Sequence, residues 1–448
     1  MNGRMMTIRA MAALTALLIM APAARAQTPG QDAARAMEAW TKLVDEGRYE
    51  EAWRRAAPAV QERVPLPAWE ASLRGARGSL GAVSGRVLES AEVVPAPPGA
   101  PAGEWVRVRF IVTFAGGRSA TETAVALGGG DEWRAAGYFM VPRTQASDYA
   151  APAGAPYTAE EVTVNAGGHT LAGTLTLPKD ARGRVPAVVL ITGSGAQDRD
   201  SHSPLIPDYR FFRQVADTLS RRGIAVLRMD DQGWGASRGD PSRATTADFA
   251  DDIRAGIALL RARPEIDPGR IGLAGHSEGA IIAPLIAAGD PRIRAVVLLA
   301  APSRTGNRVV DFQVREALVA DGLSGAALDS AFAAAVAARS GAAEVPWVRW
   351  FLEHDPLPVV RQLRAPVLIL HGATDRQVTP DQAPELQAAL RAGGNRDVTV
   401  RVFPALNHLF LPDAEGTADP ARYARLPEKR VPAQVLGSLA DWLAQRLR

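Results

Sequence analysis

The 448-residue chain contains no cysteine. Disulfides, thiolate metal sites, a cysteine nucleophile and a lipid-bearing cysteine are therefore excluded. Lysine is nearly missing as well: it stands only at positions 42, 179 and 429, and arginine supplies the rest of the positive charge. Nor is there a surplus of one sign. Three of the 51 basic residues, Arg4, Arg9 and Arg25, precede Gln27, and the other 48 match the 48 acidic residues. A balanced chain gives no electrostatic reason to bind nucleic acid. Histidine occurs six times, and none falls between Gln27 and Val141. What remains, 47% hydrophobic and 22% charged, is the composition of a globular chain long enough for two or three domains.

The one long apolar run sits at the start. Met1–Ala26 has a basic beginning, the run Met11–Ala21 and the small-x-small sequence Ala24-Arg25-Ala26. This is the layout of a secretory signal peptide, cleaved before Gln27. The other reading, an anchoring helix, needs about 20 apolar residues, and the run is shorter. The mature chain is expected to carry no membrane span and to reside in the periplasm or the medium.

Two composition breaks divide the rest. Pro95–Gly103 reads as a loop and 142–157 as a linker rich in Ala, Gly and Pro. Before the linker, Asp32–Glu46 and Tyr49–Arg63 show helical spacing. Val106–Phe114 alternates strictly as a half-buried strand, and Thr121–Leu127 with Trp133–Val141 forms a hairpin. Residues 27–141 are thus expected to be an α+β domain. From 158 to 448, an antiparallel pair over Glu161–Leu177 is followed by apolar strands alternating with helices: Val185–Thr192, Ile224–Met229, Arg270–Ala274, Ile293–Leu299, Pro366–Leu370 and Val398–Phe403. Such alternation predicts an α/β fold with a mostly parallel sheet covered on both faces. The Ala-rich stretch 306–363 interrupts it as a helical insertion, a candidate lid.

Gly275-His276-Ser277-Glu278-Gly279 fits G-x-S-x-G, in which glycines flank a serine on a strained strand-to-helix turn. A second match surrounds Ser237, but Asp240-Pro241 follows it and no helix begins there. Ser277 follows the strand RIGLA and opens the helix GAIIAPLIAA, so it is the candidate nucleophile. A serine nucleophile needs a base, and the base an orienting carboxylate. Asp375 and His408 each fall in a loop just after a core strand, at the sheet edge where parallel sheets build sites. His371 is the rival base and is read as closing its strand. Thr192-Gly193-Ser194-Gly195 follows the first core strand and is suited to present an amide, with that of Glu278, as an oxyanion hole. The same loop lacks the third glycine and the helix of a dinucleotide site. Asp198, Asp200, Asp230 and Asp231, with Arg199 and Arg228 among them, read as a salt-bridge network, and no metal or cofactor is called for.

The segments GSGAQDRD, RMDDQGWGASRGD, GHSEG, HGATDRQVTP and NHLF, in this order, resemble the α/β-hydrolase superfamily over about 160–448, near the dienelactone-hydrolase and serine-aminopeptidase groups. Residues 31–141 resemble, more weakly, a small cystatin-like domain of unknown function found ahead of such enzymes. The resemblance implies a secreted esterase acting on a small-molecule ester through an acyl-enzyme on Ser277. Thr192 departs from it, since many relatives carry His before the glycine, which leaves open the amide that completes the oxyanion hole. An exported aminopeptidase for small N-terminal residues is the alternative, and it needs a carboxylate for the free amine, from Glu316, Asp321 or Glu353. Mass spectrometry of the exported protein is expected to find Gln27 as first residue; an intact Met1 in mature material overturns the signal assignment.

Overall fold

Alternation along Val106–Phe114 demands a partner for one face of that strand, and helices provide it. The computed structural model describes residues 28–448 except 78–79, 98–99, 116, 130–131, 144–145, 196, 203–205, 207–208, 340–344 and 418–419; the expected signal segment lies outside the described residues. Strands β1 (Val83–Val94), β2 (Glu104–Phe114), β3 (Ser119–Gly129) and β4 (Glu132–Arg143) pair antiparallel in sequential order. Helix Pro29–Asp45 buries Met37, Trp40 and Val44 in the cluster that holds Val106, Val108, Phe110 and Val112.

The helix expected over Tyr49–Arg63 is two, Tyr49–Arg54 and Pro58–Arg63. Pro58 has no N–H to continue the first, and Ala57 before it is extended at φ −61°, ψ 143°. Strand β1 and helix Leu66–Arg77 carry little sequence signal. The strand is an edge strand without alternating burial and with a register shift at Gly85, and the helix contains Pro67 and Gly75.

The second sheet has eight strands: β5 (Tyr157–Asn165), β6 (Thr170–Pro178), β7 (Val185–Ile191), β8 (Ala225–Met229), β9 (Ile266–His276), β10 (Ile293–Leu299), β11 (Val367–Gly372) and β12 (Val398–Phe403). Their order is β12-β11-β10-β9-β7-β8-β6-β5, parallel from β12 to β8 and antiparallel at β6 and β5. Along β7, Ala187, Val189 and Ile191 enter one core cluster and Val188 and Leu190 the other, so both faces are covered. From β7 the chain crosses to β8 on one side and then to β9 on the other. Their carboxyl ends therefore diverge at a switch point, where such sheets open a crevice.

Between β10 and β11 stand helices Gly306–Ala320, Gly325–Arg339, Pro346–Glu353 and Leu357–Val360. The linker is packed: Tyr149 is buried over the Arg199 guanidinium at 4.1 Å, Arg213 donates to the carbonyls of Asp148 and Ala150, and Lys179 to that of Ala155. No helix among the described residues is long and apolar enough to cross a membrane.

Under the first sheet, the fully buried Glu122 accepts from Arg77, Arg86 and Tyr138 at 2.6–2.7 Å, and Asp45 pairs with both arginines. Removing one member of such a network strands the charges left behind. Glu122→Ala is expected to destabilise this unit by about 3–5 kcal/mol in denaturant unfolding. A change below about 1 kcal/mol rejects the network as a structural element.

Candidate active site

The elbow follows from close backbone contact. A Cβ at Gly275 would lie 2.0 Å from the Gly279 carbonyl oxygen, and one at Gly279 would lie 2.2 Å from that of Ile191 at the end of β7. Ser277 between them has φ +54°, a left-handed conformation that costs a non-glycine residue energy. Its N–H donates to the Leu299 carbonyl at 2.9 Å, and helix Gly279–Ala287 starts immediately beyond. The other G-x-S-x-G serine is structural: Ser237 donates to the Asp230 carbonyl and accepts from the Ala172 amide.

Asp375 and His408 meet across 33 residues. The His408 Nδ1 lies 2.8 Å from Asp375 Oδ2, and Asp375 Oδ1 accepts the Gln377 and Val378 amides at 2.9 Å each. A carboxylate only accepts, so Nδ1 carries the proton and Nε2 is left as the acceptor. Burial pushes the Asp375 carboxyl up, but the neighbouring His408 and hydrogen bonds from His371 and His408 outweigh it and hold the group below the usual carboxylate range. The loop is fixed from two sides. Asn407 Oδ1 accepts the amides of Leu409 and Leu411, and a Cβ at Gly372 would lie 2.2 Å from the Leu406 carbonyl oxygen, so only glycine lets β11 pass there.

His371 is fully buried behind Asp375. Its Nε2 lies 2.8 Å from the Val378 carbonyl and 3.3 Å from Asp375 Oδ2, so it braces the acid loop. Ser194, Ser277, Glu278 and His408 all line one cavity of about 450 Å³, and Asp375 stands behind His408. Val309, Gln313, Trp347 and Phe351 of the insertion also line it. Helical spacing groups Trp347, Trp350 and Phe351 on one face, but only Trp347 and Phe351 stack together, at 5.6 Å; Trp350 stacks on His354 at 4.1 Å and does not reach the cavity wall. At about 100° per residue, Trp350 lies about 60° to one side of Trp347 and Phe351 about 40° to the other, and the Trp350 ring meets His354, four residues on, instead.

Of the acidic cluster, Asp230 pairs with Arg199 and Asp200 with Arg228, and Asp198 lies 3.7 Å from Arg210. Asp231 is different. It accepts from the Thr192 hydroxyl at 2.6 Å and the Gln197 amide at 2.8 Å, and so ties the loop after β7 to the end of β8. None of Glu316, Asp321 and Glu353 lines the cavity, and Glu316 is engaged by Arg376.

One residue carried no sequence signal for its role. His276 donates from Nε2 to the His408 carbonyl at 3.0 Å, 132 positions away, with the two rings 4.9 Å apart. Burial, with the adjacent His408, pushes it down to about 3, so it is neutral at ordinary pH.

A mostly parallel sheet with a strained serine at its switch point, followed in the chain by acid and then histidine, is the arrangement of the α/β-hydrolase fold. Residues 205–415 match the family model described as "Serine aminopeptidase, S33", and residues 36–138 a protein of unknown function, DUF4019. The esterase EstD of Thermotoga maritima is 29% identical over 331 residues, 70% of this chain and 74% of its own length. Among solved structures, the Pyrococcus furiosus esterase aligns at 17% identity and TM-score 0.46, covering 68% of this chain and 97% of its own. A putative dienelactone hydrolase from Klebsiella pneumoniae aligns at 18% and 0.42, covering 64% and 99%.

The depressed His276 makes a pH prediction. The unfolded chain takes up this proton near pH 6.5 and the folded chain only near 3, so the stability is intact above 6.5 and is lost as pH falls towards 3. Between pH 7 and pH 4 the natural chain should lose on the order of 3 kcal/mol more than His276→Gln, which keeps a donor but cannot titrate. Equal losses in denaturant titrations reject a buried neutral His276.

Proposed function

We propose that the chain is a serine hydrolase that cleaves carboxylic esters of small molecules through an acyl-enzyme on Ser277. The observation that carries this reading is the Asp375–His408 pair, set behind and in the wall of the cavity that holds Ser277. In this scheme the Ser277 hydroxyl oxygen attacks the ester carbonyl carbon, and His408 Nε2 takes the hydroxyl proton. Asp375 holds the imidazole and stabilises the imidazolium. The amides of Glu278 and Ser194 receive the oxyanion. His408 then returns the proton to the departing alcohol. Water, activated by the same histidine, frees the acid in a second round.

The name of the Thermotoga relative agrees with an ester substrate. A free-amine substrate calls for an available carboxylate at the catalytic cavity; Glu316, Asp321 and Glu353 are all elsewhere, and that of Glu278 is taken up by Thr246, Trp347 and Ser194. Export, and a non-catalytic role for residues 27–141, belong to the same proposal. A fluorophosphonate probe should label the natural chain and not Ser277→Ala. His408→Ala should fold and lose roughly 10⁴–10⁶-fold in kcat on a p-nitrophenyl ester, whereas His371→Ala should lose stability or a modest part of the rate. The reverse pattern for the two histidines overturns the assignment, and faster turnover of aminoacyl-arylamides than of esters overturns the substrate class.

A further inference from the structure

A second cavity, of about 270 Å³, adjoins the catalytic one on the far side of the loop after β7. Its walls are mainly apolar, with Leu171, Met229, Phe249, Ile253 and Ile282 among them. The carboxylates at its edge are already engaged: Asp230 by Arg199, Asp231 by Thr192 and Gln197, and Asp252 by His169 at 2.8 Å. The two cavities share Gly193, Gly195, Glu278 and Trp347. Glycines contribute only backbone to that wall, so its side chains are those of Glu278 and Trp347.

These two are bonded to each other. The Trp347 indole N–H donates to Glu278 Oε1 at 2.7 Å. The same oxygen accepts from the fully buried Thr246 hydroxyl at 2.6 Å, and the Ser194 hydroxyl also bonds the carboxyl. Glu278 is 3% exposed and held by Thr246 and Ser194 independently of the ring, whereas Trp347 is half-buried and arrives on the short insertion helix Pro346–Glu353. The acceptor is therefore fixed and the ring is the part able to move. The second cavity also begins next to the nucleophile: a Cβ at Gly193 would lie 3.3 Å from the Ser277 Cβ.

We propose that Trp347, latched by Glu278, is a partition that sets acyl-chain preference, and that the second cavity takes the distal carbons of longer aliphatic acyl groups when the ring swings aside. This rests on the serine-esterase reading. With the latch closed the acyl group is confined to the catalytic cavity; with it open, a chain leaving Ser277 gains an apolar channel.

The test uses the full chain and p-nitrophenyl butanoate and octanoate, with active sites counted by fluorophosphonate labelling. Trp347→Ala is expected to raise the octanoate-to-butanoate ratio of kcat/KM by about tenfold or more, the scale on which extra methylenes in an apolar pocket discriminate. Trp347→Phe keeps a ring without the N–H, is the milder variant should the first fail to fold, and should shift the ratio in the same direction by less. Trp350→Ala, which touches neither cavity, should keep the natural ratio. An unchanged ratio in labelled Trp347 variants overturns the partition, as does an equal shift in Trp350→Ala, which would mean that the insertion has merely loosened. A natural chain that the probe does not label overturns the serine reading itself.

Discussion

The backbone of Gly279 runs so close to the end of β7 that no side chain fits between them. From this contact the rest of the site follows. It forces the turn from β9 into its helix to be tight, the tight turn puts Ser277 at φ +54°, and the strained residue stands proud of the sheet. It also fixes the spacing between the serine and the loop Thr192–Gly195, because both hang from the same pair of strand ends. The strain is held by burial on every side: Ile191, Leu299 and Ala280 around the turn are all nearly inaccessible to solvent.

The second constraint is electrostatic. His276, His371, His408 and Asp375 are all buried together, and an unpaired charge among them would be costly. The sharing is orderly. Asp375 receives two backbone amides and His408, His371 spends its Nε2 proton on a carbonyl beside it, and His276 stays neutral while holding the His408 backbone. Each ring has a different task because its nearest acceptor differs: Asp375 for His408, the Val378 carbonyl for His371 and the His408 carbonyl for His276. Of the two rings bonded to Asp375, only His408 lines the cavity, and its Nε2 is the nitrogen left to take a proton from the substrate side.

Much of this was legible in the chain. The continuous apolar strands, the glycines of the elbow and the placement of Asp375 and His408 after strands carry local signals, and local signals survive in sequence. The order of the strands in space, the His276–His408 contact and the divergence of Trp350 from Trp347 do not. The first depends on crossovers, the second joins residues 132 apart, and the third turns on which neighbour a ring finds. Strand β1 was hidden for another reason. An edge strand of half-exposed residues has no buried face to impose alternation, so its pattern is that of a loop.

The packed linker alters where the chain can be divided. Arg199 is almost wholly enclosed and carries Asp230 and Glu161 on its nitrogens, but one flat face of its guanidinium is covered by Tyr149, a residue from before the second sheet begins. A cut at the composition break near Tyr157 would leave that face open to water and withdraw the carbonyls that Arg213 and Lys179 bond. A cut upstream of Tyr149 keeps all of these contacts, and it falls inside the stretch whose Ala, Gly and Pro content suggests a mere tether.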